Sequence, residues 1–218
     1  MKTMTKFHVA SLTCVVVGLA LSALAYGHLP DPVPVHWNVH GEVDGYMAKP
    51  LGVFLLPLVM LAMGLMFMVL PRISPRRFEM EGFESAYGWI ILATQSMLLL
   101  TTGLAHLVGM GFDVDIGRSL SIAAGLLLMV MGNFMGKVTR NFFLGIRTPW
   151  TLASEEVWLR THRLAGKTFF FGGLAFVISA LIGVHFWALG PLIALMVLLP
   201  YGYSFFLYRR LEGEGRST

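Results

Sequence analysis

The sequence predicts an all-α fold: a polytopic helical membrane protein with six transmembrane helices and both termini in the cytoplasm. Three observations predict it. The first is composition: the 218 residues are 56% hydrophobic and 13% charged, with mean hydropathy +0.71, whereas soluble domains carry about 25% charge. That much apolar surface does not fit inside a water-soluble core of this size, so the bilayer is the solvent. The second is periodicity on the scale of the membrane. A hydrocarbon layer of about 30 Å needs about 20 apolar residues, and six charge-free runs reach that length. The third is the placement of basic residues. Of 16 lysines and arginines, all but Lys49 and Arg118 fall on one side of those runs.

The runs follow in order. Phe7–Gly27 is the first; its end, Ala23-Leu24-Ala25, resembles a signal-peptidase site, but the run is long for a signal sequence and reads as an uncleaved anchor. Leu51–Leu70, Tyr87–Gly109 and Ser119–Gly136 come next, then Thr168–Trp187 and Gly190–Tyr208 as a tight hairpin. The positive-inside rule puts Lys2, Lys6, Arg72, Arg76, Arg77, the 137–167 loop and the tail residues Arg209, Arg210 and Arg216 in the cytoplasm. This distribution also explains the basic pI of about 9.4. The basic residues act as topology signals that meet anionic lipid, with no direct nucleic-acid contact. The single cysteine, Cys14, excludes an intrachain disulfide or a cysteine metal cluster. The chain divides into a membrane hairpin over 1–70, a linker over 71–86 and a four-helix domain over 87–218.

Two loops are longer than connectors need to be. The outer one, from His28 to Pro50, opens on Pro30, Pro32 and Pro34, which favour extended backbone. His36, Asn38 and His40 alternate with Trp37 and Val39, so in an extended chain the first three share a side. Gly41 and Asp44-Gly45 are turn signals. His36 and Asp44 are weak candidates for a divalent metal, and no other cofactor is expected. A structured turn with Trp37 and Tyr46 among lipid headgroups is the competing reading. His28, His36, His40, His106 and His185 all fall near the outer side, as a metal site, a pH sensor or unrelated interfacial residues.

The inner loop runs from Lys137 to Lys167. Gly145-Ile-Arg-Thr-Pro-Trp150 reads as a rigid turn, with Thr148 pushed to extended geometry by Pro149. Ser154 caps a helix whose first turn holds Glu155 and Glu156. Trp158 and His162 share a face four residues apart, and Glu156 and Arg160 pair likewise. Gly166 is expected to end that helix, leaving it as an amphipathic element on the inner leaflet. Within the spans, Gln95 and Asn133 lie at similar depth and are candidates to bond across helices. No acidic or basic residue lies inside a span, which weighs against an ion-coupled transporter.

These loops carry a resemblance. Pro34-Val-His-Trp-Asn-Val-His-Gly-Glu-Val-Asp-Gly-Tyr46, followed by Lys49, resembles a short domain of unknown function at the start of many bacterial membrane proteins. Gly132-Asn133, Asn141-Phe-Phe-Leu-Gly-Ile-Arg-Thr-Pro-Trp-Thr-Leu152, Trp158, Thr161-His162-Arg163 and Gly166-Lys167 resemble the signature half of the SdpI family. The resemblance implies a non-enzymatic immunity and signalling protein of the bacterial cytoplasmic membrane. It would meet a secreted, membrane-active peptide toxin outside and hold a cytosolic transcriptional repressor inside. The expected outer contact residues are Pro34, His36, Asn38, Gly41, Asp44 and Tyr46. The expected docking loop comprises Asn141, Gly145, Arg147, Thr148, Pro149, Trp150, Thr151, Trp158, His162 and Arg163. A metal-dependent membrane enzyme with an outer His/Asp site, or a small transporter, are the competing classes. The sequence holds no HExxH, GxSxG or phosphate-binding glycine loop in support of an enzyme.

Overall fold

The computed structural model describes residues 2–38, 40–73, 82–184 and 189–215. Arg76 and Arg77, Val39, His185, Trp187 and Arg216 lie outside the described residues. Nine elements follow in order: α1 (Lys2–Ala25), β1 (Val33–Trp37), β2 (Val43–Met47), α2 (Leu51–Ile73), α3 (Glu84–Gly109), α4 (Ile116–Met135), α5 (Pro149–Ala153), α6 (Glu155–Leu181) and α7 (Gly190–Gly215). Six of them, all but the strands and α5, are long and apolar enough to cross a membrane. The long helices alternate in direction: Phe7 near the start of α1 meets Trp89 near the start of α3, which stacks on Phe134 near the end of α4. The molecule therefore has a termini face, which also carries α5, and an opposite hairpin face, which carries β1 and β2.

Two features depart from the sequence reading. The outer loop is a true antiparallel β-hairpin, pairing Val33 with Met47, Pro34 with Tyr46, His36 with Gly45 and Trp37 with Val43. The register is irregular around His36, so strict alternation does not hold, and His40 sits in the turn rather than beside His36. The second departure is the inner helix. Gly166 does not end it: α6 runs unbroken from the Ser154 cap, whose hydroxyl accepts from the Val157 N–H at 3.4 Å, to Leu181. Among the described residues no separate amphipathic helix lies between Ser154 and the fifth span. The amphipathic segment is the first three turns of the fifth span.

Gly166 has a different purpose. A Cβ placed on it would lie 2.8 Å from the Gly132 carbonyl, and one on Gly132 would lie 2.7 Å from the Gly166 carbonyl. Seven residues along each helix the arrangement repeats: a Cβ on Gly125 would lie 2.6 Å from the Gly173 carbonyl, and one on Gly173 2.5 Å from that of Gly125. Lipid tails are as apolar as leucine, so helices in a bilayer associate through close backbone packing, which small residues permit. Glycines two turns apart on two antiparallel helices make α4–α6 the closest pair in the fold.

On the other side of α4, α1, α2 and α3 pack as a trio. Helix α2 contains Pro57 and Pro71. A proline has no N–H for the carbonyl four residues before it, which frees Val53 O and Phe67 O. Both are satisfied from neighbouring helices. Ser22 Oγ of α1 donates to Val53 O at 3.0 Å, and Tyr87 Oη of α3 donates to Phe67 O at 2.7 Å. Midway between them, Gln95 Nε2 of α3 donates to Met60 O at 2.9 Å. The expected Gln95–Asn133 bond is absent. Gln95 is fully buried against α2, while Asn133 is exposed on α4 beside Phe134, which stacks on Trp89 six residues before Gln95, so the two share neither a face nor a level.

Candidate functional site

The hairpin face is organised by Asn38 and Lys49. Asn38 Oδ1 accepts from the backbone N–H of His40 at 2.9 Å and of Glu42 at 3.0 Å, and its Nδ2 donates to Glu42 Oε2 at 2.8 Å. This is an Asx turn, and Gly41 completes it at φ 82°, a left-handed conformation in which a side chain is strained. Asn38 and Gly41 therefore shape the loop tip. Lys49 anchors the hairpin's base: its Nζ donates to Tyr26 O and Leu29 O, each at 2.7 Å. These carbonyls lie just past the C-terminus of α1, where the helix dipole favours a cation. Lys49 also stands 4.9 Å over the Tyr26 ring.

His36 Nδ1 and Asp44 Oδ1 lie 2.5 Å apart across the strands, on exposed side chains. Gly45, opposite His36, makes room for this pair, since a Cβ there would lie 2.7 Å from His36 Cβ. Among the described residues, no three His, Cys, Asp or Glu side chains converge on a point where a cation would sit. The histidines of this face separate: His36 bonds Asp44, His40 is at the turn, and His106 is buried on α3 against Ser22 Oγ at 2.8 Å. Pro34 is buried under the hairpin, whereas Tyr46 is 61% exposed.

On the termini face the GIRTPWT segment folds into a knot that ties α4, α6 and α7 together. Asn141 is fully buried. Its Oδ1 accepts from the N–H of Phe143 at 2.8 Å and Leu144 at 2.7 Å, while its Nδ2 donates to Thr139 O at 2.8 Å. Gly145 has φ 101°, and any Cβ on it would collide with the His162 ring. That close approach lets the Ile146 N–H donate to His162 Nε2 at 3.0 Å, while His162 Nδ1–H donates to Trp158 O at 2.8 Å. The imidazole is thereby fixed as the neutral tautomer with its proton on Nδ1. It stacks on Trp158 at 4.0 Å, and Trp158 Nε1 donates to Val138 O at 2.7 Å.

Thr148 is extended at φ −95°, ψ 161° and caps α5 reciprocally with Thr151, with Pro149 in the first turn. Thr148 Oγ1 also lies 3.2 Å from Ser204 Oγ of α7. Trp150 packs edge-on against Phe205 at 5.0 Å and Tyr201 at 5.9 Å. Arg147 Nη1 donates to Phe142 O.

The expected docking residues thus split. Arg147, Pro149 and Arg163 are exposed, and Trp150 is partly so. Asn141, Thr148, Thr151, Trp158 and His162 are buried. Trp158 and His162 are 0% and 1% exposed, so a partner meets the shape they impose rather than their side chains. Their helical spacing placed them on one face, as predicted, but that face turns inward. Ser204, Tyr201 and Phe205 were missed because nothing in an apolar sixth span marks them as partners of a loop about 55 residues earlier.

Residues 137–204 match the model of the SdpI/YfhL protein family, and residues 13–61 match a domain of unknown function, DUF1648. The chain thus resembles the SdpI/YfhL family over residues 137–204 and DUF1648 over residues 13–61. It is 28% identical to the immunity protein SdpI of Bacillus subtilis (strain 168) over 214 residues, covering 96% of this chain and 99% of that one. No solved structure matches the chain. The SdpI/YfhL region runs from the end of α4 to Ser204, so it contains the whole knot together with the hydroxyl that receives it on α7. The DUF1648 segment contains the hairpin, Ser22 and both carbonyls, Val53 O and Met60 O, that α1 and α3 bind.

Proposed function

We propose that the protein is an immunity protein of the bacterial cytoplasmic membrane, lowering the potency of a secreted membrane-active peptide that it meets at the hairpin face. The observation that carries this reading is similarity to an immunity protein over nearly the full length of both chains. It embraces both loops rather than the spans alone, and a shared scaffold without shared sites would be weaker support. The bias of basic residues toward the termini face supports a cytoplasmic placement of that face. There the exposed Arg147 and Arg163, with Phe142 exposed as well and Arg160 already paired with Glu156, would give a cationic, partly apolar surface on which a cytosolic repressor with an acidic face would dock. The protein performs no catalysis in this reading: His36 and Asp44 bond each other, and the knot's His162 has both nitrogens engaged by backbone.

The test is protection. Sensitive Bacillus cells lacking their own immunity protein are given this chain, and the inhibitory concentration of their secreted peptide toxin is measured. A rise of tenfold or more is expected, and no rise for the chain at normal membrane abundance refutes the reading. For the repressor, a fluorescent fusion of a helix-turn-helix protein encoded beside this gene should move to the membrane. Arg147→Ala should reduce that recruitment without altering protein abundance.

A further inference from the structure

Beneath the β-hairpin lies a cavity of about 250 Å³. Its walls include Val33 and Trp37 of β1, Val53 of α2, Ala105 and His106 of α3 and Leu120 of α4. Two of these residues bring polar atoms with unmet capacity. The Trp37 Nε1–H is buried with no acceptor among the described residues. His106 is 6% exposed. Its tautomer follows from Ser22, whose single hydroxyl proton goes to Val53 O, so Ser22 Oγ accepts from His106 Nε2–H at 2.8 Å. Nδ1 is therefore the unprotonated nitrogen, an acceptor, and no hydrogen bond reaches it among the described residues.

The cavity thus offers one neutral donor and one neutral acceptor in a wall that is otherwise largely apolar, Thr101 donating its hydroxyl proton to Met97 O. No lysine, arginine, aspartate or glutamate lines it, and His36 at its rim is bonded to Asp44. A phosphate or carboxylate would find no countercharge there and would lose its hydration. The complementary group is a neutral one that supplies both an acceptor and a donor beside apolar bulk. A peptide bond flanking a large apolar side chain has that character, with a carbonyl for Trp37 and an N–H for His106. A lipid ester supplies acceptors only and would leave the His106 nitrogen unmet.

We propose that this cavity seats an apolar side chain of a membrane-inserted peptide, with the adjoining peptide group bonded to Trp37 and His106. The proposal rests on the immunity reading, and it makes the hairpin the roof of the site rather than the whole of it. Tyr46, Asn38 and the His36–Asp44 pair then lie outside the contact that selects the ligand.

Two variants test it in the protection assay above, with the same secreted Bacillus peptide as probe. Ala105→Leu fills the cavity without changing charge or polarity, and Trp37→Phe removes the indole N–H while keeping an aromatic ring. The expected result is that Ala105→Leu brings the inhibitory concentration down to within about twofold of cells without the protein. Trp37→Phe should lower it several-fold, with both variants at normal membrane abundance. If the unaltered chain protects and both variants protect equally well, the cavity proposal is overturned while the immunity reading stands. If the unaltered chain fails to protect, both fall. Should Ala105→Leu fail to accumulate, Trp37→Phe decides alone. Native mass spectrometry of the purified protein adds the other arm: a lipid retained by the unaltered chain and lost from Ala105→Leu names lipid as the occupant and overturns the proposal.

Discussion

Removing the Tyr87 hydroxyl should destabilise the protein only while Pro71 is present. Tyr87 Oη donates to Phe67 O at 2.7 Å, and Tyr87 is 1% exposed. In an ordinary helix the N–H of residue 71 would serve that carbonyl, but Pro71 has none. Side-chain hydrogen bonds between membrane helices average about 0.6 kcal/mol and reach about 1.7, because the broken partner usually finds a substitute. Here the usual substitute is missing, so Tyr87→Phe belongs at the upper end, about 1.5 kcal/mol, roughly a tenfold change in the folding equilibrium. In a Pro71→Ala background the carbonyl regains its helical N–H, and the same substitution should cost less than about 0.5 kcal/mol. The coupling, about 1 kcal/mol, is read from a double-mutant cycle, using reversible unfolding in mixed micelles titrated with sodium dodecyl sulfate. Equal costs of Tyr87→Phe in the two backgrounds would show that the proline does not create the need the tyrosine meets.

Other expectations follow from the same contacts. Gly173→Val should cost about 1–3 kcal/mol by overpacking, since even a Cβ would lie 2.5 Å from Gly125 O; Gly103→Ala, with nothing within 4 Å of its Cβ, should be tolerated, and thermal midpoints in detergent compare the two. Gly145→Ala combines a left-handed φ of 101° with a collision at His162 and should cost about 1–3 kcal/mol. It should also make segment 139–153 more sensitive to protease, and His162→Ala should partly relieve the clash in a double variant. Lys49→Met leaves Tyr26 O and Leu29 O without their donor. Hydrogen exchange should quicken across residues 31–49 with little change in α4 or α6, and uniform exchange across the chain would contradict the local role assigned to Lys49.

Six spans were legible because the solvent writes them: each apolar run of the required length lies largely within one of six long helices among the described residues. Ser154 as a cap, Thr148 as the extended residue before Pro149 and the Glu156–Arg160 pair, at 2.5 Å, were legible for a related reason, since each is set by neighbours within four residues. What the sequence hid was long-range. The turn chemistry of Asn38 and Gly41 could have announced a hairpin, since the prolines of its approach were already read as extended backbone, but the pairing partner in β2 carries no signal of its own beyond the Asp44-Gly45 turn dipeptide. The glycines at 125, 132, 166 and 173 carry a visible seven-residue spacing, yet only the fold shows that the two pairs meet. Reading Gly166 as a helix end applied a rule for water, where glycine exposes backbone and loosens a helix. In a bilayer the same missing side chain is what admits a second helix.

The two prolines of α2 carry that argument one step further. Each frees a carbonyl that lipid cannot satisfy, so each position is tenable only if a neighbouring helix brings a donor to it. Ser22 and Tyr87 do so from different helices, at opposite ends of α2, and Gln95 binds between them. The three carbonyls are seven residues apart, two turns each, and therefore face one direction. Sliding α2 by one residue against α3 would misalign the Tyr87 and Gln95 bonds together, and sliding it against α1 would break the Ser22 bond. By contrast, α7 meets the loop knot through one hydroxyl contact, at Ser204, and the Trp150 ring packing. On the cavity proposal, a ligand under the hairpin would touch Val53 and His106, which belong to the bonded trio, so its first effect would be to stiffen α1–α3 as a block. Movement on the termini face is then easiest where the fewest bonds must break, between α5 and α7. A cross-link joining positions 150 and 205 should accordingly leave protection intact and abolish any repressor recruitment that depends on the peptide.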